Sequence, residues 1–407
     1  MSEADHKARE WRRGWPVIVG SAAMAGTGSG LYQNLSSLFL PGLQEVMHAS
    51  RGEVSTAAGF GLLGALAAPF IGRLADRVGV VPVIVASALG IAATHIWFSM
   101  MAGPLWEFQL GVAVLALCAP GVSALIYGRL IAKRFDRHRG LALGFATSGL
   151  SLTTVLLPAL TTYVIATWGW RAGYYLLAGL IVVVGLPAGL LAARSAGTLH
   201  RPERSKSLLK PSWRDPLFWR LNFAQMLINI GTVGMVTQLA LIGRERGLGL
   251  ATAGLLLSAY GASQIGGRLV MGALIDRYAA NRIAAAFGLA STVGFIALVS
   301  GEGGLAFALA AVFLAGLLNG AEYDLTPFLV TRLWPLEVYG ELFGRLMLFS
   351  IISGGVGLAS FGLLHDWTGS YAAPLALGAI AMILASVLLY GLPSSHPREW
   401  SVMPDGQ

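Results

Sequence analysis

Long apolar blocks separated by short polar ones set the rhythm of this chain. Residues 15–40, 54–71, 81–101, 108–131, 141–166 and 172–193 form a first series of such blocks. Residues 218–242, 253–275, 283–300, 305–330, 342–364 and 372–392 form a second. Each block is about 18–26 residues long, enough to cross a ~30 Å hydrocarbon core as a helix. A backbone in lipid must satisfy its own polar groups, so the blocks predict twelve transmembrane helices, spans 1 to 12 in chain order. Gly140 with Gly144, and Gly316 with Gly320, form small-xxx-small pairs of the kind that lets membrane helices approach closely.

Composition supports this pattern. Of the 407 residues, 55% are apolar and only 12% charged, about half the charged share of soluble domains. Mean hydropathy is +0.67, which excludes an ordinary water-soluble enzyme. Cys118 is the single cysteine, so the chain contains neither an internal disulfide nor a thiolate metal site. The first block is too long for a cleaved signal peptide and is expected to persist as span 1.

A net charge of +8 would suit a nucleic-acid binder, but its distribution argues for a membrane topology instead. With the N-terminus placed in the cytoplasm, twenty-one Lys and Arg fall on the inside, and only Arg51, Arg171, Arg244 and Arg246 fall outside. That asymmetry follows the positive-inside rule. It predicts a multi-pass protein of a bacterial inner membrane with both termini cytoplasmic. No nucleic-acid partner is expected.

The longest polar interval, 194–216, is basic, contains Pro202 and Pro211, and divides the spans six and six. The two sides are repeats. Gly72-Arg-Leu-Ala-Asp-Arg-Val-Gly79 closes span 2, and Gly272-Ala-Leu-Ile-Asp-Arg-Tyr-Ala279 closes span 8. Gly72, Leu74, Asp76 and Arg77 match Gly272, Leu274, Asp276 and Arg277 at a constant offset of 200. Gly140 and Gly144 match Gly340 and Gly344 in the same way. The predicted organisation is an N-terminal six-helix bundle over 1–194, a cytoplasmic basic linker over 195–216 and a C-terminal bundle over 217–407, as parallel repeats.

The motif at 72–79, with its echo at 272–277, resembles the loop signature of the major facilitator superfamily, and the resemblance covers essentially the whole chain. It implies an all-α membrane protein of twelve helices in two pseudo-symmetric halves, with spans 1, 4, 7 and 10 lining a central cavity. It also implies that Gly72, Asp76, Arg77, Asp276 and Arg277 serve conformational gating, with Arg129 or Arg134 as partners for Asp76. A carboxylate near helix N-termini suits the helix dipole as well. Several segments further resemble bacterial relatives of the monocarboxylate porters and oxalate/formate antiporters. These are Arg51-Gly-Glu-Val-Ser55, Arg134-Phe-Asp-Arg-His-Arg-Gly140, Gly169-Trp-Arg-Ala172, Gly320-Ala-Glu-Tyr-Asp-Leu-Thr-Pro327 and His365-Asp-Trp-Thr-Gly-Ser-Tyr371.

Ionisable groups inside spans are expensive and usually functional. Arg268, Glu322, Asp324 and Arg345 qualify, all in the C-terminal half. Their counterparts at the 200-residue offset are Ala68, Val122, Ala124 and Phe145, so the repeat tolerates uncharged residues at these places. Arg268 lies eight residues before Asp276, roughly 12 Å inside the boundary, with Gln264 and Tyr260 near the same helix face. Its guanidinium offers a bidentate fork for a carboxylate; a structural ion pair is the alternative. The porter resemblance implies a substrate-linked Arg here, but the acid found four residues earlier in that family is Gln264 in this chain.

Asp324 should lie at the depth of Arg268. Glu322 is about 200° around the same helix from it, so the two carboxyls cannot face one cavity. One could carry a proton, or they could be held in static charge pairs. Arg345 is a second anion contact, as the antiporter resemblance implies, or an inner-gate or interfacial residue. Tyr32, Gln33 and Asn34 interrupt span 1, and Asn222, Gln225 and Asn229 follow one stripe of span 7. Tyr32, Asn34, Gln225, Asn229, Gln264 and Tyr260 are accordingly the expected hydrogen-bonding partners of a substrate. His95 is expected to be a packing residue.

There is no G-x-x-x-x-G-K-[ST] phosphate loop, no metal-ligand spacing and no nucleophile–base constellation, so neither cofactor, metal nor enzymatic activity is expected. The sequence as a whole predicts a monomeric secondary transporter of a small organic anion, coupled to protons or a counter-anion. The alternatives are an exporter of drug-like or amphipathic compounds and a transporter-like receptor.

Overall fold

The computed structural model describes residues 3–135, 139–197, 213–275, 278–301, 303–334 and 339–393. Asp276 and Arg277 lie outside the described residues, as does the side chain of Asp324. Helices occupy all twelve expected spans.

In the N-terminal half four spans are interrupted. Span 1 is Glu3–Thr27 and Ser29–Met47, parted at Gly28, whose ψ of −169° is extended. Span 2 is Arg51–Thr56 and Leu62–Val78, joined by a 3₁₀ stretch at Ala57–Gly61. Span 3 is the unbroken Val80–Met100. Span 4 is Leu105–Cys118 and Ala124–Arg134, separated where Pro120 and Gly121 force a 3₁₀ turn. The Ser123 hydroxyl then accepts from the Leu125 N–H and caps the second piece. Span 5 is Arg139–Trp168. Span 6 is Trp170–Leu180 and Leu186–Ala196 around a π turn at Ile181–Gly185. Spans 7 to 12 are single helices: Pro216–Glu245, Leu250–Ile275, Ala280–Ser300, Leu305–Leu333, Tyr339–Thr368 and Ala372–Tyr390.

Among the described residues, ten spans are long and apolar enough to cross a membrane by themselves. Spans 1 and 8 are not among the ten. These two carry Tyr32, Gln33 and Asn34, and Tyr260, Gln264 and Arg268, so the hydropathy they lack is the polarity they bring to the interior.

At the end bearing the basic loops, cations hold exposed helix-end carbonyls, a favourable placement against the helix dipole. Lys133 Nζ donates to the Gly197 carbonyl at 3.0 Å, and Arg220 Nε to that of Leu388 at 3.0 Å. The opposite, or far, end is the one bearing Arg51, Arg171, Arg244 and Arg246.

The halves are joined along spans 5 and 8. A Cβ on Gly261 would meet Thr154 and Val155 backbone at 2.7 Å, and one on Gly254 would meet Thr162 Oγ1 at 2.5 Å. Glycine at these two positions, seven apart, sets the close approach of the helices. Spans 8 and 10 pack in the same way, since Gly316 presses on Tyr260 and Ser263, and Gly320 on the backbone of Gln264. Gly144 departs from its expected packing role, because nothing lies within 4 Å of a Cβ built there. Its helix face is not pressed against a neighbour at that level.

Candidate functional site

A small polar cavity of about 50 Å³ sits between the halves. Span 1 contributes Gly30, Gln33 and Asn34, span 5 Leu150, span 7 Asn229, Val233 and Val236, span 8 Tyr260 and Gln264, and span 10 Asn319. Spans 1, 7 and 10 therefore line it as expected, while spans 5 and 8 stand where span 4 was anticipated. Gln33 is exposed to this space, whereas its neighbours Tyr32 and Asn34 are buried.

Behind the lining runs a buried hydrogen-bond network centred on Asn319. The Tyr260 hydroxyl and Gln264 Nε2 both donate to Asn319 Oδ1, at 2.9 and 3.1 Å. Asn319 Nδ2 in turn faces Glu322 Oε2 at 3.5 Å. The other carboxyl oxygen, Oε1, accepts from Asn229 Nδ2 at 3.2 Å, and the same amide reaches Ser350 Oγ at 3.1 Å and the Gln225 carbonyl at 3.0 Å. Gln225 also hydrogen-bonds Glu322. Glu322 is 7% exposed, so a carboxyl has been buried and surrounded by three amides that themselves reach the cavity or its wall. Burial of such a group is tolerable only where donors replace water. Among the described residues, the side-chain oxygens Asn222 Oδ1 and Gln225 Oε1 are buried without a hydrogen-bond partner, so the span 7 stripe retains unused accepting capacity.

Arg268 lies one helical turn from Gln264 toward the basic end. Its Nη1 donates across the half–half boundary to Thr147 Oγ1 at 3.1 Å and reaches Ser148 Oγ at 3.4 Å. Gln264 crosses the same boundary, accepting from the Ser151 hydroxyl at 3.3 Å. Span 8 thus meets a run of hydroxyls on span 5 with its two most polar residues.

The remaining candidates go elsewhere. Asn34 Nδ2 donates to Thr154 Oγ1 at 2.9 Å, tying span 1 to span 5 at the cavity wall. Tyr32 shares a hydroxyl contact with Tyr174 at 3.2 Å and sits in an aromatic cluster with Phe39, His95 and Phe98, turned into the N-terminal half rather than onto the cavity. The structural reason is register: Gln33, one residue on, takes the cavity-facing position. His95 is buried there with neither ring nitrogen hydrogen-bonded. Arg345 stacks on Trp213, 3.9 Å from its ring centre, at the basic end near the linker.

At the basic end of span 2, Asp76 pairs with Arg129 Nη1 at 2.9 Å, and the same nitrogen donates to the Gly72 carbonyl at 2.9 Å. Arg134 instead donates to the Arg13 carbonyl at 3.2 Å. Arg77 is exposed beside Phe70, Arg73 and Leu74.

Sequence reading missed Asn319, Ser151, Thr147, Ser148 and Ser350. Asn319 carried a signal, being three residues before Glu322 and so on its face of the helix. The span 5 hydroxyls carried little, since Ser and Thr in a membrane helix often bond their own backbone. Ser148, for example, also donates to the Gly144 carbonyl at 2.8 Å.

Comparison with known proteins agrees with this architecture. The sequence profile of the Major Facilitator Superfamily matches residues 22–344, and again 229–404. Human monocarboxylate transporter 11 is 29% identical over 406 residues, covering 94% of this chain and 84% of that protein. An MFS-type transporter of Gibberella moniliformis is 27% identical, covering 80% of this chain and 78% of its own length. Among solved structures, a D-xylose-proton symporter superposes with a TM-score of 0.72 at 12% identity, over 93% of this chain and 96% of that one.

Proposed function

The chain belongs to the major facilitator superfamily, and from that premise we propose that it carries a small organic anion, a mono- or dicarboxylate, across the membrane by alternating access. It is a multi-pass secondary transporter, not an enzyme. The observation that carries the anion reading is Arg268. It is placed where the halves meet, one turn below the cavity floor, with Nη1 reaching hydroxyls of the opposite half. A carboxylate entering from the basic end meets that cation before the amides of Asn229, Gln264 and Asn319. Its hydrocarbon part then faces Leu150, Val233 and Val236. The names of relatives such as the human monocarboxylate transporter support the same substrate class.

Contacts that Arg268 makes with both substrate and span 5 differ between open states, which is what coupling requires. Glu322 or Asp324 carries the proton if transport is symport; exchange of one carboxylate for another needs no such carrier. The basic end is the cytoplasmic one in this reading, the membrane is a bacterial inner membrane, and the protein works as a monomer. Gating at the basic end uses the Gly72–Asp76–Arg129 contact.

A second reading has an observation of its own. Among the described residues, none that lines the cavity is charged, which would suit a neutral, hydrogen-bonding compound. Uptake of labelled carboxylates into proteoliposomes separates the two. The anion reading expects saturable uptake, driven by a pH gradient or by internal counter-anion and lost in Arg268→Gln. Uptake of neutral compounds alone, undiminished in that variant, favours the second.

A further inference from the structure

Two short segments that the sequence marks separately, 51–55 in one half and 365–371 in the other, meet in the structure. The Gly52 N–H donates to Asp366 Oδ2 at 2.7 Å. Three residues along the same strip, Ser55 Oγ accepts from Gln238 Nε2 at 3.0 Å, and the other end of that amide, Oε1, accepts from the Tyr371 hydroxyl at 2.8 Å. All of these contacts lie at the far end of the molecule, and those to Gly52 and Ser55 cross from one half to the other. Beside them every residue of span 7 from Gly234 through Gly243 is buried.

We propose that this contact is the far-side gate of the transport cycle, with Asp366 and Gln238 on the C-terminal half catching Gly52 and Ser55 on the N-terminal half. The chemistry of the two faces suits a bond that must be made and broken. On the N-terminal side the receiving surface is built without help from the partner. Ser50 Oγ accepts from the Glu53 N–H at 3.2 Å while Glu53 Oε2 accepts from the Ser50 N–H at 2.7 Å, a reciprocal cap. Gly52 N–H remains, one of the donors a helix start leaves without an internal acceptor. It takes Asp366 when the halves are together and water when they part, so opening strands no buried group.

Gly52 also has to be glycine. A Cβ there would lie 2.5 Å from Asp366 Oδ2 and 2.9 Å from Leu363 Cδ2. With no side chain between the halves, the faces separate without steric unlocking. On the C-terminal side the catch is pre-positioned. His365 Nδ1 lies 3.8 Å from Asp366 Oδ1, its Nε2 lies 4.0 Å from Glu245 Oε2, and its ring packs on Tyr371 with centroids 4.5 Å apart. Tyr371 and Gln238 are both buried and hold one another in place.

The gate can be tested without any substrate, so its failure is separate from that of the anion reading, and it rests only on alternating access. The full chain carrying Cys118→Ala and Gln33→Cys puts a single thiol in the cavity. In vesicles of uniform orientation, a membrane-impermeant maleimide applied from the far side reports opening there. Asp366→Ala and Gln238→Ala should each raise the far-side labelling rate by about tenfold, the population shift expected from losing one such hydrogen bond. An unchanged rate in both, in folded protein, overturns the proposal. A second arm uses Ser55→Cys with Gln238→Cys in the same background. Oxidation should cross-link the halves and abolish far-side labelling of the cavity thiol, leave basic-side labelling intact, and be reversed by a reductant. Failure to cross-link, or far-side labelling that survives the cross-link, overturns it equally.

Discussion

The two halves share a backbone plan but have been loaded with different chemistry at the level of the cavity. In the N-terminal half that level is filled by rings: Tyr32, Phe39, Phe98, Tyr174 and His95, with Phe39 and Tyr174 stacked 4.2 Å apart. In the C-terminal half it is filled by amides, a phenol and a carboxyl, running from Gln264 through Asn319 to Glu322 and Asn229. The helices follow suit. The N-terminal half breaks four of its spans, whereas the C-terminal spans run unbroken and give their polar side chains fixed registers. One half offers a stiff aromatic block with a few hydroxyls along span 5, and the other carries the polar network. The lesson is that a duplicated membrane bundle can concentrate its buried polarity in one copy, whose amides and carboxyl bond largely to one another, and use the other as the body against which it moves.

That contrast predicts a graded set of outcomes. The largest effect belongs to Arg268→Gln. Removing a half-buried cation that meets the substrate anion where the halves join costs about 2 kcal/mol, the low end of the range for fully buried pairs, so carboxylate uptake should fall by about thirtyfold, and Arg268→Lys should recover part of it. Initial rates in proteoliposomes measure this.

Glu322→Ala comes next. It deprives the side-chain donors of Asn319 and Gln225 of the acceptor they share, at about 1–3 kcal/mol for each group left unsatisfied, while Asn229 keeps Ser350 and the Gln225 carbonyl. The variant should therefore unfold at a clearly lower temperature in detergent than Glu322→Gln, which keeps an oxygen in place. Equal melting of the two would mean that water already solvates this carboxyl.

Tyr32→Phe, on the other side of the comparison, removes only the hydroxyl shared with Tyr174. A loss of about 1 kcal/mol in stability is expected, with KM for the substrate changed by less than about twofold. A large KM effect would move Tyr32 into the cavity. Smallest of all is Phe145→Leu, at the N-terminal counterpart of Arg345. Phe145 is 53% exposed and touches Trp11 edge-on with centroids 6.0 Å apart. Stability should stay within about 0.5 kcal/mol of wild type and transport should not change, as thermal unfolding and uptake would show.

Much of this was legible in the chain beforehand. The twelve spans follow from hydropathy, because lipid leaves the backbone few options; the division near residue 200 rests on the sequence repeat at 72–79 and 272–279. The C-terminal bias of the charges within spans was also visible, since the repeat supplies its own control. Side-chain direction was less so. Tyr32, Gln33 and Asn34 are consecutive, and about 100° of helix rotation per residue decides which one reaches the cavity. Only the packing of span 1 against spans 3, 5 and 6 settles that choice. Asn34 was drawn to Thr154 and Tyr32 to Tyr174, neither of which periodicity could pair with it. Arg345 illustrates the same limit, because its partner Trp213 belongs to the end of the linker, a region without hydrophobic rhythm. The break in span 4 at Pro120 and Gly121 could have been anticipated from those residue types, yet its consequence, Ser123 capping a new helix, could not.

The most direct test of the account is equilibrium binding of a labelled short-chain carboxylate, one that the uptake panel shows to be carried, to purified wild type, Arg268→Lys and Arg268→Gln. If Arg268 holds the substrate anion, wild type binds saturably, the Lys variant binds more weakly and the Gln variant shows no saturable binding while melting normally. Wild-type affinity in Arg268→Gln would contradict the account and leave the guanidinium as a tie between spans 5 and 8.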